Sequence, residues 1–163
     1  MEPLDEFVSI AHRVVWATVA TVDRRGRPRS RILHPLWLLE GERLRGWVIT
    51  RPTALKRAHL AHAPHASCSY WDPAHDTAVA ECDAAWEHDP ERRRAVWRRY
   101  LDAPEPLGYD FAQIFPDGPQ SEDAGFLRLD PWRIRTHRVV AGEEPRVWVS
   151  GGAAAPRPRP ART

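Results

Sequence analysis

Hydrophobic positions along the chain fall mostly in short stretches of β-branched and aromatic residues, separated by turns rich in glycine, proline and charge. Residues 14–22 form the first stretch. They carry no charge, so they predict a strand that is buried on both faces. Later stretches alternate apolar with polar positions or are short apolar runs, which also favour strands. The predicted strands are residues 14–22, 29–39, 44–50, 66–71, 77–86, 125–129 and 132–140.

Helices are indicated by their first residues. A proline near the start of residues 3–12 suits the first turn of a short helix. Thr53 predicts an N-cap for a helix over residues 54–63. Asp89, followed by proline and glutamate, predicts a further helix that ends ahead of Pro104.

Glycine and proline mark the connections between the predicted strands. Gly26 and Gly41 each lie in a short charged segment and predict hairpin turns. Pro35 lies inside the second predicted strand, so part of that strand is expected at an edge or a bulge. Residues 107–123 read as a long loop with room for a short strand at 111–115.

Six or seven strands in hairpins, with two or three small helices, favour an antiparallel barrel. Strands and helices do not alternate regularly enough for a parallel doubly wound sheet. The chain has 163 residues, enough for one domain, which we expect to span residues 1–150. Residues 151–163 contain mainly alanine, proline and arginine and predict a disordered tail.

Composition excludes several classes of protein. No apolar run approaches the about 20 residues of a membrane span, and the acidic start of the chain does not fit a secretory leader. Cys68 and Cys82 are too few for a disulfide framework, so a reducing cytoplasm is expected. The net charge is only +2, and three arginines of the tail contribute to it. Without a basic stripe, nucleic-acid binding is not expected.

The most informative segment is residues 50–64, which contains Lys56, the only lysine of the chain. All other side chains with a permanent positive charge are arginines, so a compact ammonium is favoured at this one position. The segment predicts the end of a strand, a tight turn and the start of a helix, with Thr50, Arg51 and Thr53 nearby. Free backbone N–H groups at a helix start, together with these side chains, predict a binding site for an anion such as phosphate.

Other candidate motifs are weaker. His59, His62 and His65 are spaced by three, but Pro64 breaks the helix before the third, so a zinc site is not expected. The sequence lacks a P-loop, a G-x-S-x-G motif and a dinucleotide fingerprint. The acidic residues are scattered and form no pair suited to general acid–base catalysis.

Taken in order, several of these stretches resemble a known family. They are V-W-A-T-V-A-T-V-D-x-x-G-R-P-R-S-R-I-L, then G-W-V-I-T, then T-R-P-T-A-L-K-R-A-H-L-A-H-A-P-H-A-S, then Y-W-D-P. This order resembles the pyridoxamine 5′-phosphate oxidase-like FMN-binding split-barrel proteins. The similarity runs from about residue 7 to 139 and is strongest over 14–73. It implies a six-stranded antiparallel split barrel and a homodimer with FMN at the subunit interface.

The resemblance also implies roles for individual residues. Arg31 and Lys56 would contact the flavin phosphate, and Thr50 and Arg51 would line it. Ile32, Leu33 and Ile49 would lie along the ring. The family often has serine two residues before the lysine, where this chain has alanine, and Thr53 next to it offers a hydroxyl instead. The expected cofactor-binding residues are Arg31, Ile32, Leu33, Ile49, Thr50, Arg51, Thr53 and Lys56.

Three functions follow from the resemblance. The first is an FMN-dependent oxidoreductase acting on a small molecule, in which the cofactor supplies the redox chemistry and no protein side chain is expected to be catalytic. The second is a reductase that uses a deazaflavin coenzyme of the F-420 type, since the same phosphate site serves either cofactor. The third is a non-catalytic protein that binds or stores a flavin or haem. Oxidation of vitamin B6 is disfavoured because the C-terminal end is short.

Overall fold

The computed structural model describes residues 2–152. Within that range the chain forms three α-helices and eight β-strands. The helices are α1 (Pro3–Val14), α2 (Ala54–His62) and α3 (Pro90–Asp102). The strands are β1 (Ala17–Val22), β2 (Pro28–Leu33), β3 (Leu36–Glu40), β4 (Arg43–Thr50), β5 (His65–Trp71), β6 (Asp76–Glu87), β7 (Gly125–Arg138) and β8 (Arg146–Val149). Residues 153–163, most of the predicted tail, lie outside the described residues, and the domain boundary near residue 150 stays a prediction.

The strands form one antiparallel sheet with the order β2-β1-β5-β6-β7-β4-β3, and β8 pairs with β7. The two ends of this order, β2 and β3, are consecutive in the chain and are joined by only His34 and Pro35. The sheet therefore curls until its two ends meet, although no ladder pairs β2 with β3 in the described residues. The predicted mainly-β antiparallel class is confirmed, but the described chain has eight strands rather than six.

Proline positions explain two of the differences from the predicted strands. Pro35 divides the predicted strand 29–39 completely, because it has no N–H to donate to a ladder. Pro131, by contrast, lies inside a continuous β7. The pairing of β7 with β6 shifts between Glu81 and Cys82, so a β-bulge absorbs the missing donor. The predicted strands 125–129 and 132–140 are therefore a single strand, β7.

Two further predictions about strands were wrong, and one strand was missed. β1 begins at Ala17 and alternates between buried and less buried residues, so only one of its faces is fully buried. Residues 111–115 form no strand; Phe111–Gln113 is a single 3₁₀ turn. The short strand β8 was not predicted. The predicted helices are observed, and Thr53 and Asp89 are their N-caps as expected.

Two hydrophobic cores lie on opposite faces of β4. The first fills the inside of the curled sheet, where Phe7 of α1 packs edge-on against Trp37 at 4.9 Å. The second lies outside, where α3 and the following loop cover Trp47 and Ile49 of β4. Because both faces are covered, the last five residues of β4 are all buried, which fixes the start of the turn that leads to α2.

Candidate functional site

A cavity of about 400 Å³ opens where β4 ends, α2 begins and β2 meets β3. Its volume lies within the range of ligand-binding pockets. Most of its wall is apolar, formed by Trp16, Ile32, Leu33, Ile49, Tyr109, Phe111, Ile114 and Phe115. The polar part of the wall consists of His34, Thr50, Arg51, Thr53 and Lys56. Seven of the eight predicted binding residues therefore line one cavity, and the eighth, Arg31, is near enough for its charge to act on Lys56.

Lys56 is the fixed cation of this cavity. Its ammonium Nζ donates hydrogen bonds to Thr50 Oγ1 at 2.7 Å and to the carbonyl of Arg51 at 2.9 Å. Its backbone N–H donates to the Thr53 hydroxyl at the start of α2. An ammonium has three hydrogens, so one remains for a ligand. Partial burial lowers the pKa of Lys56, and the charge of Arg31 lowers it further.

Arg31 is held from the side by β1. Its Nη1 donates to Thr21 Oγ1 at 2.8 Å and to the carbonyl of Val19 at 3.2 Å. Burial lowers the pKa of Arg31, with a smaller contribution from the charge of Arg29. In the described part of the chain, neither Arg31 nor Lys56 forms an ion pair with a carboxylate. Two neighbouring cations without a counter-charge favour the binding of an anion.

Arg51 lies at the exposed edge of the cavity. Its guanidinium stacks over the ring of Phe115, with the central carbon 5.4 Å from the ring centre. Such a cation–π contact orients the side chain while leaving its N–H donors available. The cationic residues and the aromatic wall are thus directly connected, and the cavity suits a ligand that is flat and apolar in one part and anionic in another.

His34 is a buried polar group in the wall of the cavity. Its side chain packs against the rings of Trp16, Tyr100 and Tyr109. Neither ring nitrogen has a hydrogen-bond partner within residues 2–152. Burial lowers the pKa of His34 to about 4, and the nearby Leu107 backbone opposes that shift only in part. The imidazole is therefore neutral at physiological pH.

The sequence did not predict the aromatic wall. Tyr109, Phe111, Ile114 and Phe115 belong to residues 107–123, which read as a loop. Tyr100 of α3 anchors this region to the sheet, because its hydroxyl lies 2.7 Å from the carbonyl of His34 and 2.6 Å from that of Trp47. These contacts join residues more than fifty positions apart, and no local signal predicts them.

A larger cavity, of about 760 Å³, lies on the other side of Pro52, between α2, the end of β6 and α3. Its charged residues are of both signs, and the guanidinium of Arg93 is already bound to three backbone carbonyls. None of the predicted binding residues lines it. The smaller cavity is therefore the candidate site.

None of the three histidines in or beside α2 lines the candidate cavity. His59 is buried and lies 2.9 Å from Thr21 Oγ1, and His65 pairs with Asp83. The described residues contain no group of three or more metal-ligating side chains that could hold an ion. Among the same residues, no helix is long and apolar enough to cross a membrane.

Comparison with known proteins gives a family match and several similar folds. Residues 4–138 match the model of the family described as Pyridoxamine 5′-phosphate oxidase. No curated protein matches the chain. A Clostridium acetobutylicum protein, described as related to general stress protein 26 of B. subtilis (pyridoxinephosphate oxidase family), is 14% identical with a TM-score of 0.71. The alignment covers 92% of this chain and 97% of that one.

Two other solved structures with the same fold differ in what their descriptions say they bind. A heme binding protein from Mycobacterium smegmatis is 20% identical with a TM-score of 0.69; the alignment covers 91% of this chain but only 58% of that one. A pyridoxamine 5′-phosphate oxidase-related, FMN binding protein from Nostoc punctiforme is 14% identical with a TM-score of 0.57, over 90% and 92% of the two chains. At these identities the likeness concerns the fold.

Proposed function

The chain belongs to the pyridoxamine 5′-phosphate oxidase family, and on that premise we propose that it binds FMN in the cavity described above and acts as an FMN-dependent oxidoreductase. The observation that carries the proposal is the pair Arg31 and Lys56, two adjacent cations that lack a carboxylate partner in the described chain and adjoin an apolar, aromatic cavity. The FMN binding protein from Nostoc punctiforme, which has the same fold, also supports it.

The residues fit the two parts of FMN. The phosphate is a dianion, and Lys56, Arg31 and the hydroxyls of Thr50 and Thr53 supply charge and hydrogen bonds suited to it. Each charge-assisted hydrogen bond contributes about 1.5–3 kcal/mol. The isoalloxazine ring is flat and largely apolar. Ile32, Leu33 and Ile49 lie in the wall available to it.

The bound flavin would supply the electron-transfer chemistry, and the protein side chains would position it. Lys56 and Arg31 would fix the phosphate end and thereby the depth at which the ring enters the cavity. The aromatic residues of the loop after α3 would exclude water from one side of the ring. No side chain in the cavity is required as an acid or a base.

We also propose that the functional unit is a homodimer with the cavity at its interface. Three side chains at the cavity are unusually exposed for apolar residues: Trp16 at 54%, Ile32 at 60% and Ile114 at 40%. Ile32 belongs to β2, which ends the strand order of the sheet and has one unpaired edge in the described chain. A second copy covering this face would bury both the apolar side chains and the edge.

The absorption spectrum of the purified protein tests the cofactor. FMN gives a blue-absorbing, fluorescent complex, and a deazaflavin coenzyme absorbs at shorter wavelength. Turnover with a reduced nicotinamide and an artificial electron acceptor tests the activity. A bound flavin that shows no turnover with any donor would contradict an oxidoreductase and support a binding protein.

A binding or storage protein is the second candidate function. The heme binding protein from Mycobacterium smegmatis, with its TM-score of 0.69, favours it, and so does the neutral imidazole of His34 in the cavity wall. Haem gives a Soret band that no flavin has. Titration of the cofactor-free protein with haemin and with FMN, followed by absorbance, decides between the two ligands.

A further inference from the structure

His34 is the feature of the cavity that the proposed function does not explain. It lies in the two-residue connection between β2 and β3, is 6% exposed and lines the same cavity as Lys56. Both of its ring nitrogens lack a partner in the described chain. Polar groups buried in folded proteins are almost always hydrogen-bonded, so each exception needs an explanation. The other fully buried histidine, His59, does have a partner, the hydroxyl of Thr21.

The surroundings of His34 are mainly aromatic; the Leu107 backbone raises its pKa, but neither ring nitrogen forms a hydrogen bond of ordinary geometry in the described chain. Trp16, Tyr100 and Tyr109 present their rings to the imidazole at centre distances of 5.3, 5.2 and 6.4 Å. The hydroxyl of Tyr100 lies instead within hydrogen-bond distance of the backbone carbonyls of His34 and Trp47, and it has one hydrogen for the two of them. That contact fixes the backbone of His34 in place, while its side chain keeps one N–H donor and one nitrogen acceptor unused.

We propose that His34 recognises the polar edge of the ligand's ring system through one hydrogen bond, which a ring N–H donates to a carbonyl or a ring nitrogen accepts from an N–H. This inference rests on the proposed function, because it takes the flavin ring as the group that enters the cavity. The pyrimidine part of a flavin carries adjacent carbonyl and N–H groups of this kind. His34 and Lys56 would then bind different parts of one ligand, the uncharged ring edge and the phosphate.

A ligand can reach the imidazole nitrogens only if a neighbouring side chain moves, because both are buried. Three rings lie against the imidazole. Of these rings, Tyr100 is fully buried and Tyr109 is half-buried, whereas Trp16 is 54% exposed. Within one subunit Trp16 is therefore the ring whose displacement by a ligand loses the least packing.

The test compares FMN with riboflavin, which has the same ring without the phosphate. In His34→Phe the ring shape is kept and both polar atoms are lost, so both ligands should lose affinity by a similar factor, about tenfold. In His34→Asn an amide donor and acceptor remain, and part of the affinity should return. The exposed residue His62 provides the control, since His62→Phe should leave both affinities unchanged.

The stability of the ligand-free protein separates recognition from a structural role. Replacing an unpaired buried polar ring by phenylalanine should raise the melting temperature of the ligand-free protein while lowering its affinity for the ring. Equal affinities of wild type, His34→Phe and His34→Asn for both ligands would overturn the inference while leaving the proposed function intact. If the wild-type protein binds neither FMN nor riboflavin, the proposed function fails, and this inference fails with it.

Discussion

The hydroxyl of Thr21 connects Arg31 of β2 with His59 of α2, the helix that also carries Lys56. It lies 2.8 Å from Nη1 of Arg31 and 2.9 Å from Nδ1 of His59. Arg31 can only donate, so the Thr21 oxygen accepts from it and its own hydrogen is free to point to His59. His59 lies three residues after Lys56, one turn further along α2. The three-residue contact therefore fixes β1, β2 and α2 relative to one another, and with them the positions of both cations.

Replacing Thr21 by valine should weaken this arrangement. Thr21→Val keeps the shape but leaves Arg31 and the buried His59 without their shared partner, which we expect to cost about 1–3 kcal/mol of unfolding free energy. Affinity for FMN should fall several-fold while affinity for riboflavin stays the same. Thr77→Val, at the half-buried start of β6 and outside the cavity lining, is the control. Urea unfolding measures the stability, and ligand titration measures the affinity. A Thr21→Val protein that is as stable as the control and binds FMN as tightly would contradict the role of Thr21.

Close packing behind the turn that carries Thr50 predicts a second effect. A Cβ atom added to Gly125 would come within 2.7 Å of the Trp86 ring, 2.9 Å of Pro52 Cβ and 3.0 Å of the Thr50 carbonyl. Gly125→Ala should therefore push the turn outward and destabilise the protein by about 1–3 kcal/mol. FMN affinity should fall with it. Unchanged thermal stability would show that the turn has room to move.

The pKa of His34 predicts how stability depends on pH. Its value is lowered from 6.5 in the unfolded chain to about 4 in the folded protein by burial. Between these values the unfolded state binds a proton that the folded state does not, so stability falls as the pH drops from 6.5 toward 4. The effect reaches about 2–3 kcal/mol at pH 4.5, at about 1.4 kcal/mol per pKa unit. Urea unfolding of wild type and His34→Phe at pH 7 and 4.5 measures it.

Burial also lowers the pKa of His12, so protonation of His12 in acid reduces the stability of the folded protein as well. His34→Phe keeps this effect. The phenylalanine variant should thus lose less stability than the wild type on acidification, without becoming independent of pH. Equal losses in both proteins would mean that His34 is protonated in the folded state at pH 4.5.

The exposed apolar side chains at the cavity predict the oligomeric state. The protein should be a dimer by light scattering at micromolar concentration, and Ile32→Glu should shift it toward monomer because a carboxylate cannot be buried in an apolar interface. The same change at Val140, which is 72% exposed and lies beyond the end of β7, is the control. A wild-type protein that is monomeric with its cofactor bound would contradict the proposed interface.

The parts of the site that could be predicted are those encoded locally. Lys56, its acceptor Thr50 and the cap Thr53 lie within seven residues, and the strand–turn–helix chemistry of that segment is visible in the sequence. Arg31 lies near enough to Lys56 for its charge to lower the pKa of the lysine, but its hydrogen bond to Thr21 was not predicted. The reason is that strand register decides which side chains meet, and here β1 and β2 pair Val19 with Arg31.

The other parts depend on packing between distant segments. Tyr109 and Phe115 line the cavity because the loop after α3 is packed in the outer core against β4, which no pattern inside the loop indicates. The length of β7 was missed because Pro131 reads as a break, whereas a bulge accommodates it. β8 was missed because four residues before a low-complexity segment give too short a pattern to distinguish a strand from a loop.

The central claim is that Lys56 binds the phosphate of a flavin, and the FMN and riboflavin affinities of Lys56→Ala test it most directly. FMN binding should weaken by about one to two orders of magnitude, as expected for one charge-assisted hydrogen bond, while riboflavin binding hardly changes. Lys56→Arg should recover only part of the loss, because a planar guanidinium places its charge differently. Arg98→Ala removes an exposed cation on α3, away from the cavity, and should leave both affinities unchanged. Equal losses for the two ligands, or no loss for either, would contradict the account.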